Sequence, residues 1–266
     1  MLKEWDLLSR IKKGERLTLR DDELDFWWLL DIARVMRRSK CRLRFIDLGK
    51  LDFVQLEWLA EEGVELYSSR EARKKSDELE LVNKAARRGG GFVAYFYRGL
   101  SNSEEESFSE VFEELNKLSR CGIYLYLSSK KKRFEFSLLN ELAYGCREGG
   151  SWMVYYHHQP LCADLIELGR NGAWIHVRER NMEQDEDWLL VQDVSRASRK
   201  EGGGVVFHVE MAEDVALLRE LMEAGVFLIF RSLLVDYRSA LRNLIEEART
   251  KKLDFRSYYL YPFFLS

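Results

Sequence analysis

The 266-residue chain has little that interrupts it and little that anchors it. It holds only two prolines and no Ser/Pro-rich stretch, which argues against a long linker or a disordered tail. No apolar run approaches the roughly 20 residues needed to span a bilayer, so no membrane partner is expected. No positively charged start leads into an apolar segment of the signal-peptide kind, so none is expected either. The four cysteines (Cys41, Cys121, Cys146, Cys162) are scattered without a CxxC pair, which suits reduced thiols in a cytoplasmic protein. A formal charge of −3 gives no general attraction to nucleic acid or to an anionic surface. What is present is a 46% hydrophobic composition. That suffices for a full core, and one barrel-sized domain accounts for the length.

Eight short strand-like runs can be laid over one another. Six begin on glycine (Gly63, Gly91, Gly122, Gly172, Gly204 and Gly225), and runs from Cys41 and Ser151 fit the same frame. Each is followed by a segment of helical periodicity. Strict strand–helix alternation predicts parallel strands, and eight of them allow closure, so the expected fold class is α/β, a (β/α)8 TIM-like barrel. The unit of two strands and two helices repeats four times. Three of the four units end in glycine clusters (Gly89-Gly90-Gly91, Gly149-Gly150, Gly202-Gly203-Gly204). These follow a helix and open a strand, the reverse of a phosphate loop, and are expected to be left-handed helix caps. The expected layout is a single domain, 1–266. An N-terminal helical segment (1–40) carries a helix from about Asp22 to Arg38; the barrel occupies 41–253, and an apolar tail 254–266.

Side chains alternate with period two along a strand. With each run's first residue as zero, odd positions are mostly apolar and are expected to meet the helices. The exceptions are Arg42 and Arg44 on the first run. Even positions are expected to point inward. Position four reads Phe45, Tyr67, Tyr95, Tyr126, Tyr155, His176, His208 and Ile229. Position six reads Asp47, Ser69, Tyr97, Ser128, His157, Arg178, Glu210 and Arg231. A barrel built only for packing fills such layers with Val, Ile and Leu. A polar layer at the C-terminal ends of the strands needs mutual pairing, water or a ligand.

All four histidines lie in or just after the fifth to seventh runs (His157, His158, His176, His208). The expected proton carriers are His157 and Glu210, with Asp47 orienting one of them. Arg178 and Arg231 are expected to grip phosphate or carboxylate, and Tyr97, Ser69, Ser128, His176 and His208 to complete the ligand site. The opposing expectation is that the arginines are spent in internal salt bridges, Arg178 with Glu210 and Arg231 with Asp47. Loops after even-numbered runs are basic, with Arg70, Arg73, Lys74 and Lys75, then Lys130, Lys131, Lys132 and Arg133, then Arg180.

The expected partner is therefore a small anionic, phosphorylated or carboxylated, metabolite, with acid/base chemistry of isomerase, lyase or hydrolase type. Whether the chain is an enzyme is left open by the sequence. Two alternatives stand beside this reading. One is a non-enzymatic ligand sensor or scaffold. The other is a divalent-metal-dependent hydrolase using imidazole and carboxylate ligands, which Arg178 opposes. No metal ligand set and no cofactor is assigned. A nucleic-acid partner is not expected, since a filled barrel has little room for a polymer. Ser128 in place of a second carboxylate opposes a retaining glycosidase. The absence of lysine from the two inward layers opposes a Schiff-base aldolase. The tail Tyr258–Leu265 is expected to pack on the protein's own helices, or on a second copy to form a homodimer.

Overall fold

The computed structural model describes residues 9–11, 13–73, 77–97, 108–131, 133–183, 186–211, 214–231, 239–251 and 255–258. The fold is α/β, with parallel strands alternating with helices. In chain order the elements are β1 (Leu17–Arg20), α1 (Phe26–Arg38), β2 (Leu43–Ile46), α2 (Phe53–Glu61), β3 (Glu65–Ser69), α3 (Asp77–Gly89) and β4 (Phe92–Tyr97). Then come α4 (Phe108–Arg120), β5 (Tyr124–Ser128), α5 (Phe136–Glu148), β6 (Met153–Tyr156), α6 (Asp164–Arg170), β7 (Trp174–Arg178) and a 3-10 turn (Glu179–Asn181). The series closes with α7 (Asp187–Lys200), β8 (Gly204–Val209), α8 (Val215–Glu223), β9 (Phe227–Arg231), α9 (Ser239–Lys251) and β10 (Phe255–Tyr258). Strand order follows chain order from β1 to β10. The eight expected strands are β2–β9, in the order and sense a (β/α)8 arrangement requires. β1 and β10 add to them, one inside the segment expected to be helical and one inside the expected tail.

Two compact units divide the chain: residues 1–97, 105–126 and 145–151 in the first, and 98–104, 127–144 and 152–266 in the second. In the first unit α1 starts at Phe26, later than the acidic pair Asp21-Asp22 suggested. Asp25 is the cap, its carboxylate accepting from the Trp27 and Trp28 amides at 3.0 and 3.3 Å. Asp21 is instead buried, and accepts from the Leu48 and Lys50 amides at 3.0 and 2.8 Å. In the second unit α7 packs on α6 and over β8.

Each of the helices α1 to α8 hands over to the next strand through one residue in the left-handed region. These residues are Lys40, Gly63, Gly90, Gly122, Gly150, Gly172, Gly202 and Gly225, so the glycine clusters are caps as expected. Several turns share the same closing bond, from the amide after the left-handed residue to the carbonyl five residues back: Cys41 to Met36, Gly91 to Ala86, Ile123 to Leu118, Ser151 to Cys146, Gly203 to Ser198 and Val226 to Leu221.

Counted from these left-handed residues, β2–β9 share one register. Odd residues are sealed against the helices: Phe45, Leu66, Val93, Leu125, Leu127, Ile175, Phe207 and Leu228 are 0% exposed. The other face carries Arg44, Tyr67, Phe92, Tyr124, Tyr126, Tyr156, Trp174, His176, Phe227 and Ile229, of which Arg44 is exposed and the rest are half-buried. The strand pairings agree, with Glu65 beside Phe92, Tyr156 beside His176, and Arg178 beside His208. The sequence frame was one residue out of phase in the runs from Cys41, Gly91 and Ser151, because each was counted from the residue after the left-handed one. Arg42 and Arg44 thereby lose their anomaly. They share a face with Glu65, which pairs with both at 3.2 and 3.3 Å.

Gly63 combines two demands, a φ of +80° and a position where a Cβ would lie 2.3 Å from the Gly89 carbonyl oxygen. Gly202 has a φ of +82° but open space around it. Gly202→Ala should therefore lose about 1–2 kcal/mol, the left-handed penalty alone. Gly63→Ala should lose that plus about 1–3 kcal/mol of overpacking. Urea unfolding of the two variants checks the difference.

Candidate functional site

Three expected site residues lie in the first unit, and two of them face the helices. Asp47, 2% exposed, is held by Arg73 through two bonds of 2.9 and 2.8 Å, by the Ser68 hydroxyl at 2.7 Å and by the Gly49 amide at 2.9 Å. The Arg73 guanidinium also donates to the Leu51 carbonyl oxygen at 2.5 Å, and its pKa is raised, chiefly by the hydrogen bond to Asp47. Asp47 is thus a structural acceptor joining the turns after β2 and β3. Its arginine partner among the described residues is Arg73, from the basic loop. Tyr97 is likewise buried on the helix side, at 1% exposure. Ser69 lies on the half-buried face, and its hydroxyl accepts from the Ala72 amide at 3.3 Å to shape the turn.

The remaining expected residues belong to the second unit. His157 is also on the helix side, 2% exposed, its Nε2 donating to the Pro160 carbonyl oxygen at 2.9 Å. That bond fixes the tautomer and leaves Nδ1 without a partner among the described residues. Burial lowers its pKa, the Pro160 contact opposes this, and Arg133 adds to it. A residue so enclosed does not present a proton at the C-terminal edge. The adjacent His158 takes that place.

The open face at this edge gathers Ser128 at the end of β5 and Lys130 after it, His158 after β6, Arg178 and Arg180 from β7 onward, and His208 and Glu210 from β8 onward. The Ser128 hydroxyl accepts from the Lys130 amide at 3.3 Å, and the Ser129 hydroxyl accepts from the His158 amide at 2.9 Å. Glu210 pairs with Arg178 at 3.7 Å and with Arg180 at 3.6 Å. The first of these is the internal pair that the sequence offered as the opposing expectation. Beneath them His176 Nδ1 meets His208 Nε2 at 2.9 Å. Arg231 closes β9, and its side chain lies outside the described residues.

Two residues that the sequence did not single out hold this edge. Glu179, 8% exposed, accepts from the Glu210 and Met211 amides at 2.8 and 2.6 Å. It thereby fixes the turn that carries the Glu210 carboxylate. Asn181 accepts from the Arg178 amide at 2.9 Å. A carboxylate one residue past an inward arginine reads as solvated surface in a sequence, so no pattern exposed Glu179.

The imidazoles at the edge are kept neutral. Burial first, then the charges of Arg178, Lys130 and Arg180, push His158 down to about 4. Burial, then Arg178 and His158, push His208 down to about 3. Burial and His208 hold His176 well below its ordinary value. Among the described residues no three His, Cys, Asp or Glu side chains converge as a metal site, and no helix is long and apolar enough to cross a membrane. The tail beyond Tyr258, expected from sequence to pack on the protein's own helices or on a second copy, lies outside the described residues.

No protein-family model and no curated protein matches the chain. Among solved structures it is similar to dihydrodipicolinate synthase from Agrobacterium tumefaciens, at 16% identity over 90% of this chain and 80% of that one, with a TM-score of 0.36. It is similar also to 3-dehydroquinate dehydratase from Aquifex aeolicus, at 11% identity, 88% and 97% coverage and a TM-score of 0.34. Deoxyribose phosphate aldolase from Aeropyrum pernix gives 13%, 94%, 100% and 0.32 in the same terms. These likenesses are faint, and the functional reading rests on the side chains.

Asp47→Ala should destabilise the protein by about 3–5 kcal/mol, because it leaves the Arg73 charge enclosed and unpaired. Urea unfolding measures this. The histidines give a pH dependence of definite sign. Their folded pKa values lie below the unfolded 6.5 or so, so their contribution is complete above that pH. It is lost as pH falls toward about 4 for His158 and about 3 for His208. His158→Gln should flatten the fall in unfolding midpoint between pH 6.5 and 4 relative to wild type.

Proposed function

We propose that the C-terminal edge of β5–β8 binds a small anionic molecule, phosphorylated or carboxylated, and that any chemistry there is proton transfer of lyase, isomerase or hydrolase type. The observation that carries this reading is a convergence of cations. Lys130, Arg178 and Arg180 all bear on His158. Among the described residues, one carboxylate, Glu210, pairs with the two arginines, while the Glu179 carboxylate is taken up by backbone amides. An anion entering this group gains charge-assisted bonds from side chains already converging on one point.

The roles follow from position. Arg178, 14% exposed at its side chain, is the inner contact for the anion, and Lys130 and Arg180 are the outer ones. His158 and Glu210 are the proton carriers. An imidazole held neutral by burial first and by its cationic neighbours second is a proton acceptor at neutral pH, and a bound anion offsets those cations and raises its basicity. Ser128 orients the substrate. A scaffold is the second reading, and the Arg178–Glu210 pair favours it, since that contact already satisfies part of the polar row.

A thermal-shift screen against phosphorylated and carboxylated small acids separates the two. Binding to the native state alone should raise stability by about 2.7 kcal/mol at a hundredfold excess over Kd. The shift should vanish in Arg178→Ala and persist in Arg88→Ala, which removes an exposed cation of the first unit. No shift with any compound, together with a large loss of stability in Arg178→Ala, would leave the scaffold reading in its place.

A further inference from the structure

The first unit carries an exposed aromatic face that its own core does not use. α1 buries Phe26, Leu29, Leu30, Ile32, Ala33 and Met36, and α2 buries Leu56, Leu59 and Ala60. Helical spacing puts Trp27 and Asp31 on the far side of α1, and Val54 and Trp58 on the far side of α2. Trp27 is 64% exposed and Trp58 45%, and Val54 is exposed beside them. The two indole rings meet at 6.2 Å, and each also leans on Phe26, at 5.2 and 5.9 Å. Side chains from two helices thus form one continuous surface on the outer side of the unit, away from the strands.

A single exposed apolar side chain is ordinary, but touching indoles are the residues that most often anchor a partner. The charges around them have one sign. Residues 26–33 and 53–60 contain no lysine or arginine. They contain Asp31 and Glu57, and both helices start on an aspartate cap, Asp25 and Asp52. Asp31 meets Arg34 at 3.4 Å and Glu57 meets Arg88 at 4.0 Å. Exposed pairs of this kind contribute little and yield readily to a competing cation. The face is also small. Eight helical residues span about 12 Å, and neighbouring helices lie about 8–10 Å apart, so the surface measures about 12 by 20 Å. That is well short of the roughly 800 Å² per partner of a stable protein–protein interface.

We propose that this face docks a short basic segment of another protein, whose arginine or lysine side chains lie on the Trp27 and Trp58 indoles and reach Asp31 and Glu57. A guanidinium within about 6 Å of an indole centroid is attracted by the ring face, and its remaining N–H groups are free to donate to a carboxylate at the rim. An apolar residue of the same segment covers Val54. A second copy of this chain fits less well. A two-fold contact through the face would set its carboxylates against their own copies, on an area too small to hold a dimer. An anionic bilayer meets the same repulsion. The proposal stands apart from the anion-binding edge and does not depend on it.

Selection of a random dodecapeptide library on the full chain, followed by anisotropy titration of the enriched peptides, tests this on wild type, Trp27→Ser and Asp31→Lys/Glu57→Lys. The replaced side chains lie outside the core, and circular dichroism checks that both variants are folded. Enriched peptides should carry arginine or lysine beside an aromatic or aliphatic residue. Their Kd should rise about tenfold or more in each variant, the scale of losing an interface anchor. No enrichment, enrichment of acidic or uncharged peptides, or an affinity that survives either variant would overturn the proposal. So would a wild-type dimer in sedimentation that Trp27→Ser dissociates, which would give the face to a second copy. Pelleting with phosphatidylserine vesicles, lost in Trp27→Ser, would overturn it in favour of a membrane surface.

Discussion

One left-handed residue at each turn into β2–β9 sets the face on which the side chains of that strand appear. The turn reverses the chain in a fixed geometry, closed by the bond from the following amide to the carbonyl five residues back, so strand register begins there and alternates strictly. A single added residue after the turn would carry a histidine or arginine from one face to the other. The neighbouring turns also pack backbone against backbone. A Cβ on Gly91 would lie 2.2 Å from the Val64 carbonyl oxygen, and Arg87 reaches across to the carbonyls of Gly122 and Gly149 at 2.8 and 2.9 Å. The N-terminal edge of the strands is thereby a rigid origin.

The C-terminal edge is ordered by a different device, the buried carboxylate that accepts from the next turn. In the first unit Asp21 takes the Leu48 and Lys50 amides, and Asp47 takes Ser68 and Arg73. In the second unit Glu179 takes the Glu210 and Met211 amides. Each carboxylate exchanges water for donors fixed by the fold, which makes its burial tolerable and its loss severe. The proposed anion-binding edge borrows this rigidity. Glu210 can meet Arg178 and Arg180 because Glu179 holds the backbone beneath it.

Much of this was legible. The glycine caps, the strand–helix alternation and the open-face placement of His176, Arg178, His208 and Glu210 follow from spacing alone, because glycine at a helix end has few other uses. The placement of Asp47, Tyr97 and His157 did not follow, and the cause is local. The runs from Cys41, Gly91 and Ser151 start one residue after the left-handed position. In the first of them that position is Lys40, a non-glycine residue with a φ of 56°. Nothing in a lysine announces this. With the count moved by one, His158 takes the place expected of His157.

The sequence by itself determined the alternation of elements, the polar character of the strand ends and the basic loops after β5 and β7, because periodicity and composition are local properties. Only the tertiary structure decided which carboxylates are acceptors for the backbone and which meet a cation. Asp47 and Glu210 are both acidic residues at strand ends. One is enclosed by Arg73 and Ser68, the other lies 16% exposed at its side chain between two arginines. That difference depends on what the adjoining turn brings across. Pairing between turns is set by three-dimensional proximity, which spacing along the chain does not encode.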